Sequence, residues 1–420
     1  MIRWEVKRIK DIAIKVGSGS TPRGGQKVYM EEGPYALIRS QNIYDYEFKK
    51  DGLVFIDEEQ AKKLKNVALQ ENDILLNITG DSVGRCCIVP KEILPARVNQ
   101  HVAIIRVDEN TNPHYLMYYL NDTRNKEMLL NYVHGGTRKA LTKGIIEDFE
   151  VKIPSLEIQN KLADILSTYD SKIKLNLKLN QTLGEISMTL YKHWFVDYGP
   201  FQGEEFVESE LGMIPKGWKI KKLAELVNTQ YGYTESATEK KIGPHFLRIT
   251  DIQDRFISWD KVPYCPIEEK NYEKYKLNKG DIVIARTGNS TGAVGYINSN
   301  IEAVYASFLV RLTPKTDYLS PHFLYLLTTS KEYQLYIERA GTGSARKGAN
   351  AKLMTNYFVV IPPKEIMVAF HKKVDNIFEK IEKNIWENIN LKNIRDYLLP
   401  RLLSGEIDVT KAKKHVEEVL

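Results

Sequence analysis

The feature that most constrains this chain is that it repeats itself. "GPYALIRSQNI" (Gly33–Ile43) returns as "GPHFLRITDI" (Gly243–Ile252), and the surroundings return with it. "WEVKRIKDI" at Trp4 matches "WKIKKLAEL" at Trp218. "ENDILLNITG" (Glu71–Gly80) matches "NKGDIVIARTG" (Asn278–Gly288), so that Asp73 falls on Asp281. "HVAIIRV" from His101 is paired with "SFLVRL" from Ser307, and "NPHYLMYYL" from Asn112 with "SPHFLYLL" from Ser320. "GGTRKALTKG" (Gly135–Gly144) corresponds loosely to "GTGSARKGAN" (Gly341–Asn350), and "VKIPSLE" from Val151 to "VVIPPKE" from Val359. A repeat of roughly 210 residues is too long for a solenoid and suits a domain plus a connector. The chain must therefore build one architecture twice.

Within each copy the first part mixes strand and helix. "DILLNITG" and "DIVIARTG" read as strands ending at a Thr-Gly turn. Asn-Pro and Ser-Pro place a capping residue before a proline, so helices are expected to begin at Pro113 and Pro321. The end of each copy is different in kind. From Glu157 a helical pattern runs without proline for a rod of ~55 Å. Its seam steps by three and four through Leu162, Leu166, Tyr169, Ile173, Asn176, Asn180, Leu183, Ser187, Leu190 and Trp194. The second seam follows through Phe370, Val374, Ile377, Ile381, Asn384, Asn388, Leu391, Arg395, Leu398 and Leu402. Asparagines in such a seam cost stability but set register and partner. The two helices are expected to pair antiparallel, with Asn176, Asn180, Asn384 and Asn388 in one central layer. The fold class is α+β: two similar mixed domains, 1–154 and 201–362, held apart by helical regions 155–200 and 363–420 with pseudo-twofold symmetry.

The bulk numbers agree with more than one domain, because 420 residues exceed the size at which a single core stops growing. No apolar run approaches the ~18 residues of a membrane span, and "MIRWEVKRIK" lacks the apolar segment of a signal peptide, so a cytoplasmic location is expected. Cys86, Cys87 and Cys265 form no C-x-x-C spacing, and neither a disulfide framework nor a metal site is expected. A net charge of +6 permits a nucleic-acid partner without requiring one.

The motifs offer little catalysis. "NPHY" (Asn112–Tyr115) is one residue from the N-P-P-Y of amino-group methyltransferases, yet its twin is "SPHF" and both simply open a helix. No Gly-rich cofactor loop follows a strand, and "GTGS" at Gly341 lacks the Lys-Ser/Thr of a phosphate loop. The polar residues that stand out lie at turns. In the first copy they are Ser20, Thr21 and Arg23; Arg39, Gln41 and Asn42; Thr79, Ser82 and Arg85; Asn99, Gln100 and His101; and Thr137, Arg138 and Lys139. In the second they are Tyr231 and Tyr233; Arg248 and Thr250; Arg286, Thr287, Asn289 and Ser290; Tyr305 and Ser307; and Thr342, Ser344, Arg346 and Lys347. Arg and Lys suit guanine edges, Asn and Gln adenine edges, and Gly-Ser-Thr turns phosphate oxygens. Any one of these is explained as a solvated turn. Their recurrence at matched positions, with side chains that differ, is what a pair of readers of different sequences would show.

The chain resembles the specificity subunit of type I restriction-modification enzymes. The segments that carry the resemblance are Ile153–Pro200, ending in "LYKHWFVDYGP", and Ile361–Ile407, ending in "LLPRLLSGEI". It implies two target-recognition domains, each reading a few base pairs of a split, asymmetric double-stranded DNA site, with no catalysis in this chain. It also implies that the helices dock two modification subunits, which bind S-adenosylmethionine and methylate adenine, and that restriction subunits join to cleave DNA with ATP and Mg. The loop residues above carry over by position only. Two other classes fit the sequence less well: an enzyme fused to its own recognition module, opposed by the missing cofactor loop, and an autonomous DNA-binding regulator, opposed by the modest charge and by two docking helices with nothing evident to dock.

Overall fold

The computed structural model describes residues 4–132, 140–253, 255–341 and 348–409. By contacts the chain divides into two units: Met1–Ile173 with Asn390–Leu420, and Lys174–Ile389.

The first unit is organised by an antiparallel sheet of β1 (Ala13–Ser18), β2 (Ile74–Asn77), β3 (Cys86–Ile88) and β4 (Val102–Val107), in the order β1-β4-β2-β3. The second repeats it with β5 (Val227–Tyr231), β6 (Ile282–Ala285), β7 (Val294–Tyr296) and β8 (Leu309–Pro314), in the order β5-β8-β6-β7. The central strands β2 and β6 are buried on both faces, and so they read as unbroken apolar runs, whereas the edge strands β1 and β5 are partly exposed. Ile74, Leu76, Ala103 and Ile105 face a core shared with helices, while Leu75, Cys87, Val102 and Ile104 face a second layer of strands. Ile282, Ile284, Val310 and Leu312 against Val283, Ala285 and Leu309 divide in the same way. That alternation is the period-two geometry of a strand. The repeated phrase of the sequence lies in the second layer. Tyr35–Ile38 pairs parallel with Ala96–Val98, and His245–Leu247 pairs parallel with Ala303–Tyr305.

The shared Asp73 and Asp281 both lock the entry to a central strand. Asp73 accepts the Gln70 amide at 2.7 Å and a two-pronged contact from Arg106, Nε and Nη2 each at 2.7 Å. Asp281 accepts the Asn278 amide at 2.8 Å, the Thr313 hydroxyl at 3.1 Å and Arg311 Nη1 at 3.4 Å. Burial outweighs these partners and holds the Asp281 carboxyl above its usual range.

Four helices complete the frame: α1 (Pro113–Asn121), α2 (Leu156–Phe195), α3 (Pro321–Thr329) and α4 (Lys364–Ser404). Asn112 and Ser320 cap α1 and α3 by accepting the Tyr115 and Phe323 amides, with proline at the first turn of each. Both long helices are divided between the units. In the second unit their numbering runs in opposite senses. Asn176 Nδ2 donates to Asn388 Oδ1 at 2.9 Å and Asn384 Nδ2 to Asn180 Oδ1 at 2.7 Å, all four side chains being buried. In the first unit the helices meet through an ion pair, at a different point of the seams. Arg395 contacts Asp170 at 2.6 Å with both side chains nearly enclosed, and its guanidinium stacks 3.9 Å from the centre of the Tyr46 ring. No helix among the described residues is long and apolar enough to cross a membrane.

Candidate nucleic-acid interface

The sheet register decides where the loops go. Ser18 stands opposite Ala103, Asn77 opposite Val102, and Cys86 opposite Leu76. The exits of β1 and β2 and the entries of β3 and β4 therefore share one end of the sheet. In the second unit Tyr231 faces Val310, Ala285 faces Leu309 and Val294 faces Ile284, which gathers the equivalent loops at the same end.

The backbone frames of the two ends match bond for bond. Gly19 N donates to Val102 O at 2.8 Å, Ser20 N to Val98 O at 3.1 Å, Ile78 N to His101 O at 3.0 Å and Leu141 N to Ile78 O at 2.9 Å. Their counterparts are Gly232 N to Leu309 O at 3.2 Å, Tyr233 N to Tyr305 O at 2.8 Å, Arg286 N to Phe308 O at 2.9 Å and Ala349 N to Arg286 O at 2.9 Å. Glycine is required where the chains meet. A Cβ on Gly19 would lie 2.2 Å from the carbonyl oxygens of Val98 and Asn99, and one on Gly232 2.3 Å from those of Tyr305 and Ala306. The Thr-Gly turns also match, with Gly80 and Gly84 at φ +76° and +86° and Gly288 and Gly292 at +74° and +94°, conformations that favour glycine.

These bonds correct one correspondence expected from sequence. Asn99-Gln100-His101 does not align with Tyr305-Ala306-Ser307. Val98 stands where Tyr305 does, so the counterparts are Ala306, Ser307 and Phe308. Tyr305 is fully buried, and its hydroxyl donates to Gln230 Oε1 at 3.2 Å. Phe308, which sequence alone does not mark as a contact residue, is 52% exposed at the position of His101.

On this common frame the side chains differ. In the first unit Thr79 Oγ1 meets His101 Nδ1 at 2.6 Å and His101 Nε2 meets Gln100 Nε2 at 3.1 Å, with Gln100 exposed. Buried Asn77 stitches two loops together, donating from Nδ2 to Ser40 O at 2.9 Å and to Ser82 Oγ at 3.0 Å. Arg85 lies 4.7 Å from the centre of the Tyr44 ring. Thr21, Arg23 and Gln41 are exposed, and Ser20 is half-buried. Arg39 donates to Gly52 O at 2.5 Å over Tyr29. In the second unit Arg286 donates from Nε to Ser307 O at 2.9 Å and places its guanidinium 5.1 Å from the Tyr231 ring centre. Gln253 Nε2, also unforeseen, joins Ser290 Oγ at 2.7 Å. Tyr231, Thr250 and Asn289 are exposed, while Tyr233, Thr287, Ser290 and Ser307 are half-buried.

Three expected contact residues serve the loops themselves. Asn42 is fully buried, accepting the Arg39 amide at 3.0 Å and donating to Lys49 O and Asp51 O at 3.0 and 3.1 Å. Asp251 does the same for the Arg248 amide at 2.8 Å and also binds its guanidinium. The repeated phrase therefore encodes a strand followed by a clamped turn. Asn99 is buried with Oδ1 on the His101 amide, and Tyr305 is the third. Thr137, Arg138 and Lys139, with Thr342, Ser344, Arg346 and Lys347, lie outside the described residues. The described residues that flank them pair with the Thr-Gly turns, Ala140 with Thr79 and Gly348 with Thr287.

Each end thus presents amide, hydroxyl and guanidinium groups beside aromatic faces on a rigid sheet, the inventory that recognises base edges and phosphates. The family model described as "Type I restriction modification DNA specificity domain" matches residues 1–185 and 215–391, and the chain belongs to that family, whose members are the non-catalytic specificity subunits of type I systems. Among individual relatives, it is 29% identical to the type I restriction enzyme MjaIX specificity subunit of Methanocaldococcus jannaschii, covering 97% of this chain and 94% of that one. It is 26% identical to the HindI specificity subunit of Haemophilus influenzae, over 83% of this chain and 88% of the other. The fold also matches the crystal structure of a type I restriction-modification S subunit from M. genitalium, with a TM-score of 0.56 at 15% identity over 96% of each chain.

Proposed function

We propose that each unit reads one half of an asymmetric, bipartite double-stranded DNA site through the loops at the open end of its four-stranded sheet. The observation that carries this reading is the pairing of one backbone frame with two different sets of exposed and half-buried side chains. Gln41, Gln100, His101 and Arg85 are assigned to the first half-site. Arg286, Tyr231, Ser307, Asn289 and Thr250 are assigned to the second. Asn42, Asn99 and Tyr305 act by holding loop shape. The long helices would dock two modification subunits, which carry S-adenosylmethionine and methylate adenine, and restriction subunits with ATP and Mg would complete the complex in the cytoplasm. In the helix pair, Asn176, Asn180, Asn384 and Asn388 are assigned the role of fixing register.

The test is a swap. Residues 1–150 are replaced by the equivalent segment of a relative, and the methylated sites of the host are sequenced. One half-site should change while the other half and the spacer stay as they were. A simultaneous change in both halves would refute independent reading.

A further inference from the structure

The same junction is built differently in the two units. In the first, the start of α1 is tied to α2 by amides: Asn112 N donates to Gln159 Oε1 at 2.8 Å and Asn112 Nδ2 to Asn160 Oδ1 at 2.7 Å. In the second, the start of α3 meets α4 through imidazoles. His322 Nδ1 and His371 Nδ1 are 3.2 Å apart, and Ser320 Oγ lies 3.1 Å from the same His371 nitrogen. Asp375, one turn along α4 from His371, completes a group whose ligand atoms all lie within 4.8 Å of one another.

We propose that His322, His371 and Asp375 bind a divalent transition-metal ion of the zinc class, which clamps α3 to α4 within the second unit. Two metal–imidazole bonds of ~2.0–2.1 Å meeting near the tetrahedral angle hold their nitrogens about 3.3 Å apart, close to the separation here. The ring centroids are 5.1 Å apart and the ring planes are inclined by 20°. His322 is held from behind by Phe378, stacked at 4.2 Å, and by the Tyr296 ring at 5.5 Å. Its ring is thus preset before any ion arrives. His371 and Asp375 are half-buried, which leaves an entry path and room for water as a fourth ligand. Two neutral imidazoles and one carboxylate favour zinc, cobalt or nickel over magnesium or calcium, which prefer all-oxygen shells. Sequence spacing could not reveal the site, because His322 is 49 residues from His371 and no C-x-x-C is involved. The rival account is a single proton shared between the two imidazoles, with no ion.

The tag-free full chain, stripped with EDTA, is titrated with zinc by calorimetry and with cobalt by visible absorption. One saturable equivalent per chain is expected, with the ligand-field bands of a four-coordinate nitrogen/oxygen site. His371→Ala and Asp375→Asn should each weaken binding by roughly 10–100-fold or more, since even outer-shell partners carry that much. Zinc should raise the unfolding temperature of the unmutated protein and of His193→Ala, whose side chain is exposed on α2, but of neither ligand variant. The near-isosteric Asp375→Asn keeps the test decisive should His371→Ala fold poorly. No saturable binding, or binding unchanged in both ligand variants, would overturn the site and leave the shared-proton account.

Discussion

The two loop-bearing ends share a backbone and share almost none of the chemistry standing on it. Where the first has Ile78, the second has Arg286; where the first has Ser18, the second has Tyr231; His101 is answered by Phe308. The hydrogen bonds that carry these residues are the same in both. Shape is therefore set by carbonyls, amides and glycines, and the side chains on that frame are free to differ even where, as at Ile78, they belong to the core. The paired helices differ as well: Arg395 of one seam, ion-paired with Asp170, stands where the other seam has Ser187.

That contrast can be broken most forcefully at the polar layers. Arg395→Met should strand the enclosed Asp170 carboxylate and cost about 3–5 kcal/mol in urea unfolding. Replacing Asn176, Asn180, Asn384 and Asn388 together by leucine should instead raise thermal stability while loosening register or promoting self-association. A quadruple variant that lost stability and stayed monodisperse would remove the register role. Next in size, Gly19→Ala and Gly232→Ala should destabilise their own units by about 1–3 kcal/mol each, because both force a methyl group against two carbonyl oxygens. Unequal costs would show that the frames are less alike than their bonds suggest. The smallest effects sharpen the comparison. Gln100→Ala and Phe308→Ala should each leave unfolding unchanged and alter discrimination by about 1–3 kcal/mol, the former only at the first half-site and the latter only at the second. Binding assays on DNA with single-base changes in each half would decide this, and a variant that affected both halves equally would contradict the assignment.

Much of the frame was legible because it obeys short-range rules. Proline after Asn112 and Ser320 marked both helix starts. The three-four spacing of Leu162 to Trp194 and of Phe370 to Leu402 marked the long helices. Asp73 and Asp281 stood out as a matched pair, and the structure shows why, since each closes the turn into a buried strand. What escaped notice depends on partners distant in the chain. Asn42 looked like a free reader, yet a buried amide three residues after Arg39 is the natural clamp for that turn, as Asp251 shows with a carboxylate. Sequence alone aligns Tyr305 with Asn99, because only hydrogen bonds across each sheet reveal that it occupies the position of Val98. Asn77 reads as a polar end to an apolar strand, and only the fold brings Ser40 and Ser82 within its reach. Phe308 was missed because an aromatic residue beside buried strand positions looks like core.

The division of the chain also has a consequence in time. The second unit is one continuous segment, Lys174–Ile389, whereas the first needs residues from Asn390 onward to finish its core with Leu391, Leu399, Leu402 and Leu403. A ribosome working at ~5–20 residues per second would leave the first unit incomplete for about 10–40 s while the second is made. For that interval the earlier unit carries an apolar surface awaiting its last helix, and the later unit can fold as soon as it emerges. The half of the protein that is synthesised first is the half that is completed last.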